Sequence, residues 1–213
     1  MENCEIFCNA VAASKIGYEG NILQVKCPDQ HVGNIYNLGT SNEDFPTRIN
    51  SEVAYTVKNK ILLILESPHK KEFVGMSGPA KGKTGALIRK HILEIIGNKI
   101  DEYSELFLVN AVQYQCSLGH SPNLYRDKVF RSSWASFGKR EFSNRLKLLS
   151  KGMPTLIINA CTTGKKIVGT PTLQGIVENA INETLGRHCD FLLSHPSSWW
   201  AKQNRKPKLF SKL

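Results

Sequence analysis

Residues 61–85, ILLILESPHKKEFVGMSGPAKGKTG, restrict the possible folds of this chain more than any other stretch. The branched aliphatics at positions 61–65 stop abruptly at Glu66, Ser67, Pro68 and His69, and a loop rich in Gly and Lys follows. A run this short and this apolar is the pattern of a strand buried on both faces, as found in parallel sheets covered by helices. Open α/β sheets carry their chemistry just beyond the carboxyl ends of such strands. A core strand with an ordinary charged turn would look the same, so the reading depends on how the other strands end.

They end alike. The segment 84–96 has apolar residues at 87, 88, 92, 95 and 96, the spacing of an amphipathic helix, and Gly97 stops it. Residues 105–112, ELFLVNAV, read as a second strand with Asn110 near its end, and a long polar loop follows. A helix is expected over 126–150, with Phe142, Leu146 and Leu149 on one stripe. Pro154 introduces a third strand over 155–161, a helix is expected over 170–185, and a fourth strand within 189–200 closes in Ser194, His195, Pro196 and Ser197. This alternation predicts an α/β fold, a three-layer sandwich with a central four-stranded parallel sheet. Residues 1–58 are expected to form a short helix and then mostly loop over 21–50, an accessory layer on the 59–213 core within a single 1–213 domain.

The balance of 28 Lys+Arg against 18 Asp+Glu, a net +10, favours a polyanionic partner, because neutralising phosphates releases condensed counterions. Nucleic acid is the first candidate, although a merely basic, soluble surface would show the same balance. The six cysteines, at 4, 8, 27, 116, 161 and 189, contain no C-x-x-C pair, and Cys4 with Cys8 would supply only two ligands on one helix face. A reduced, cytosolic monomer without metal or other cofactor is therefore expected. No apolar stretch approaches the roughly 20 residues of a membrane span, and the start lacks the pattern of a signal peptide.

The loop SGPAKGKT at 77–84 comes close to the phosphate-binding G-x-x-x-x-G-K-[ST] pattern. Ser77 stands where the first Gly belongs, the loop lies about ten residues after its strand, and no later strand ends in the Asp that would hold magnesium. A basic loop touching a nucleic-acid backbone, through Lys81 and Lys83, suits these residues better than an NTPase. The second constellation is Glu66-Ser67-Pro68-His69, Asn110 and His195-Pro196-Ser197, which a parallel sheet would bring to one crevice.

In this ordered set, over about residues 60–200, the chain resembles the uracil-DNA glycosylase superfamily, most nearly its iron-sulfur branch. That branch has a Glu-x-Pro-Gly signature followed by an acidic residue and a Gly-rich loop, similar here to Glu66-Ser67-Pro68-His69, Glu72 and residues 78–85. Its strand-two Asn resembles Asn110, and its closing His-Pro-Ser/Ala motif resembles His195-Pro196-Ser197. The chain departs from the branch at Leu65 and His69, where the family has Gly, in lacking counterparts of the cluster cysteines, and near Ala80, where the family's stacking Phe would lie.

The resemblance implies a monofunctional glycosylase that flips a base out of duplex DNA and hydrolyses its N-glycosidic bond. Glu66 would stabilise the cationic sugar and orient water, as carboxylates do in other glycosidic cleavages. His195 would donate to the departing base, while Asn110, with Ser67, Pro68, His69 and Ala80, would bind it. Lys81, Lys83 and Ser197 would contact DNA, and Trp199 or Trp200 would fill the gap left by the flipped base. A small residue at Ala80 implies room for a bulky 5-modified pyrimidine, such as a glucosylated hydroxymethylcytosine in phage defence, with His69, Gln113, Tyr114 and Gln115 as further partners. Uracil repair, a non-catalytic nucleic-acid-binding protein and a P-loop-like NTPase are the alternatives.

Overall fold

The computed structural model describes residues 3–15, 17, 23–38, 45, 57–73, 75, 78–117, 124–152 and 154–208. Its sheet comprises β1 Gln30–Asn34, β2 Asn59–Leu65, β3 Ser104–Asn110, β4 Thr155–Asn159 and β5 Phe191–Leu192. The strand order is β1-β3-β2-β4-β5. The last four strands run parallel, as expected, and β1 adds a fifth, antiparallel strand beside β3. The expected loop over 21–50 is corrected on that point. The sequence QHVGN has no apolar run to betray a strand; it is held by the ladder to β3 and by the ion pair between His31 and Glu105. An antiparallel edge on a parallel sheet is common.

Because successive side chains on a strand alternate between faces, the aliphatic run of β2 feeds two cores at once. Leu62 and Ile64 join Phe107 and Val109 of β3 on one face. Ile61, Leu63 and Leu65 join Leu106 and Leu108 on the other. The first face is covered by helices α1 Asn3–Ala13, α3 Leu124–Ser133, α4 Lys139–Ser150 and α5 Leu173–Leu185, the second by α2 Lys83–Ile96. A mixed α/β fold with helices on both faces follows, consistent with three layers. The helix expected over 126–150 is present, but a π-helical turn at Trp134–Gly138 joins α3 to α4. A Cβ on Gly138 would lie 3.1 Å from Val112, so this turn brings the helix backbone tight against the segment after β3.

The connections decide where a crevice opens. From β2 the chain crosses one face through α2 to reach β3, then returns over the other face through α3 and α4 to β4, on the opposite side of β2. Neighbouring strands whose connections leave toward opposite faces part at their carboxyl ends, and a ligand crevice forms there.

Candidate active site

A cavity of about 570 Å³ occupies that position. The turn after β2 contributes Glu66, Ser67, Pro68 and His69; the loop after β4 contributes Thr162, Thr163 and Gly164; the segment after β5 contributes Ser194, His195, Ser197 and Ser198. Ser117 and Arg126 complete the wall. Residues from both ends of the core, some 130 positions apart in the chain, thus face one space.

Glu66 is 3% exposed and is held from several sides. The Ser67 hydroxyl donates to its Oε1 at 3.0 Å, and Arg126 Nε lies 3.4 Å from its Oε2. Its pKa is raised, because burial pushes it up by more than the Arg126 guanidinium and hydrogen bonds from Thr162 and Ser67 pull it down. The thiols of Cys116 and Cys161 lie nearby and are pushed well above their ordinary range, by burial first and the Glu66 charge second. They are neutral packing groups and offer no competing anion.

His195 is half-buried and neutral. Burial, then Arg126, then His69 depress its pKa to about 4. Its Nδ1 accepts from the Ser197 backbone N–H at 3.3 Å and lies 2.9 Å from the Ser197 hydroxyl, which leaves the single ring proton on Nε2. A carboxyl group and a neutral N–H donor that line one cavity are suited to a bond that breaks into a cation and an anion, one group for each fragment.

The structure leaves several of the expected residues outside this cavity. Asn110 pairs in register with Leu65, so its side chain shares the face of Leu65, and Glu66, one position on, points to the opposite face. Asn110 is fully buried, with its Nδ2 3.8 Å from Cys27 Sγ and a hydrogen bond to Glu72. Ala80 belongs to the same core, 1% exposed and at φ +60°, and it forms no ceiling over the cavity. Its carbonyl oxygen would stand 2.2 Å from a Cβ on Gly85, which is why glycine is needed where the loop meets α2. The loop is drawn to this face by Glu72, whose carboxylate accepts backbone hydrogen bonds from His69 and Ala80; its pKa is raised to about 8, chiefly by burial. Lys81 sits half-buried beside Glu72, and Lys83 is exposed at the start of α2. Gln113, Tyr114 and Gln115 are buried, Tyr114 stacked on Phe7. Ser77 and the tail beyond 208 lie outside the described residues.

The two tryptophans divide. Trp199 is fully buried and its Nε1 donates to the Ser194 carbonyl at 2.8 Å, so it is a core residue and no wedge. Trp200 is 68% exposed, two residues after Ser198 of the cavity wall.

Arg126 is the main residue that sequence reasoning missed. It pairs with Glu66 and, at 3.0 Å, with Asp127, and its side chain is only 15% exposed. One signal was present: an arginine in the first turn of a helix opposes the helix dipole and needs a local anion to justify it. Thr162, Thr163 and Ser117 carried no such signal.

Neither a family model, nor a curated protein, nor a solved structure matches this chain. Among the described residues, no group of three or more His, Cys, Asp or Glu could hold a metal ion, and no helix is long and apolar enough to cross a membrane.

Proposed function

We propose that the chain is a monofunctional DNA glycosylase with a uracil-DNA glycosylase-like three-layer fold. The observation that carries the reading is the convergence of Glu66, held beside Arg126, and the neutral imidazole of His195 on one cavity. Glu66 stabilises the oxocarbenium-like sugar and orients water; the Nε2–H of His195 donates to the base as negative charge develops on it. The net +10 supplies attraction to the duplex.

The volume of about 570 Å³ and a wall with hydroxyls at Ser67, Ser117, Thr162, Thr163, Ser194, Ser197 and Ser198 favour a bulky, polar base over plain uracil. The room expected from Ala80 thus has a different source, the open hydroxyl-lined wall. A pyrimidine enlarged at its five-position, with a sugar as the largest case, fits this description, and defence against modified phage DNA is the role it implies.

The test is single-turnover release from matched duplexes containing uracil, hydroxymethylcytosine or its glucosylated form, read as alkali-labile strand breaks. Release should be fastest from the enlarged bases, and Glu66→Gln and His195→Ala should each slow it by about 100-fold or more with duplex affinity retained. Release from uracil alone would return the protein to uracil repair; full activity in either variant would remove that residue from the mechanism.

A further inference from the structure

We infer that the tight turn at residues 167–170 is a second apolar wedge, one that enters the base stack beside the cavity. Val168 is fully exposed and Ile167 is 48% exposed, side by side in the chain. Thr170 N donates to the Ile167 carbonyl at 3.1 Å, and Gly169 has φ +74°, the conformation a type II turn requires at its third position. Val168 is therefore presented at the tip.

The base of the turn is fixed while the tip projects. The Lys165 backbone N–H donates to Asp127, Leu173 N donates to the Thr163 carbonyl at 3.0 Å, and Arg131 donates to the Pro171 carbonyl at 2.6 Å. Thr163 and Gly164, at the root of the turn, are cavity wall. Val168 follows Gly164 by four residues, so the tip reaches at most about 14 Å from that wall, roughly four base steps at 3.4 Å each. The exposed Lys165 and Lys166 directly precede the aliphatics, which matches apolar insertion beside phosphate contacts. A membrane surface would also accept lysines beside aliphatics, but a tip rooted in the cavity wall and no more than about 14 Å from it favours the duplex. Trp200, exposed two residues beyond Ser198 of the cavity wall, would be the first wedge, and the turn would add a second.

The inference rests on the glycosylase reading. The probe is a duplex carrying a central abasic-site analogue flanked by 2-aminopurine, with an intact duplex as reference, bound to the full chain. The wild type should prefer the abasic duplex and raise 2-aminopurine fluorescence by unstacking it. The double variant Ile167→Ser/Val168→Ser, whose positions are exposed and tolerant of change, should bind the intact duplex normally, bind the abasic duplex about tenfold less tightly, and lose most of the fluorescence rise. Normal preference and fluorescence in that variant would refute the wedge and leave the glycosylase reading standing. Trp200→Ser removing the whole effect, with no contribution from the turn, would refute it equally. A wild-type chain that ignores both duplexes but binds anionic lipid vesicles would overturn the wedge together with the glycosylase reading.

Discussion

Replacing Arg126 with Met should disable the cavity without changing its shape. Arg126 Nε stands 3.4 Å from Glu66 Oε2, with side-chain exposures of 15% and 4%, so water screens the pair poorly. At an effective dielectric constant of about 20 the Coulomb attraction at this distance is about 5 kcal/mol. Removing one partner of a buried pair usually costs about 3–5 kcal/mol, because the remaining charge is left desolvated. Glu66 can escape that cost by taking a proton, and a carboxylic acid cannot stabilise the sugar cation. If about 3 kcal/mol of charge stabilisation is lost, base release at neutral pH should fall on the order of 100-fold. The acid limb of the pH–rate profile should also move to higher pH, since Arg126 is the strongest influence opposing the burial that raises the Glu66 pKa. Asp127 acts in the opposite direction, so the limb's position reports the balance between them. A second readout needs no activity: Arg126 also depresses the His195 pKa from across the cavity, so the His195 titration followed by NMR should rise from about 4 toward the ordinary imidazole range. Arg126→Lys keeps a point charge and should recover part of both effects. An unmoved acid limb together with an unmoved His195 titration would show that Arg126 does not control protons in the cavity.

Three further outcomes are expected. The Glu72 pKa is raised from 4.5 to about 8, so the folded state favours the protonated acid: the stability it confers is complete below about pH 4.5 and is lost as pH rises to about 8. Glu72→Gln should abolish that part of the pH dependence in chemical denaturation, and an unchanged profile would contradict the assignment. Duplex binding should weaken steeply with salt, and replacing Lys83, Lys165 and Lys166 with Ala should lower the slope of log K against log salt by roughly 2 to 3; an unchanged slope would place the phosphate contacts elsewhere. Trp199→Ala should destabilise the fold by about 3–5 kcal/mol, and Trp200→Ala by no more than about 0.5 kcal/mol, as measured by urea unfolding; equal effects would be inconsistent with their burial.

The parallel core was legible because β2 to β4 are apolar runs buried on both faces, and helices such as Lys83–Ile96 repeat their apolar residues at helical spacing. The positions of Glu66 and His195 were legible for a related reason: polar residues that follow a buried strand emerge at the sheet's carboxyl edge, Glu66 directly after β2 and His195 three residues after β5. β1 was not, since QHVGN gains its order from a partner strand that the local sequence does not reveal. The face on which a strand-end side chain lands was also hidden, because it depends on pairing register: an offset of one residue puts Asn110 and Glu66 on opposite faces, and the loop of Ala80 and Lys81 is held separately by Glu72. Adjacent tryptophans look equivalent in sequence, yet only Trp199 turns into the core, held by the Ser194 carbonyl. Arg126 was visible as a helix residue, and only tertiary structure decided that its charge meets Glu66, because an ion pair across 60 positions is made where the start of α3 meets the turn after β2, which local pattern does not encode.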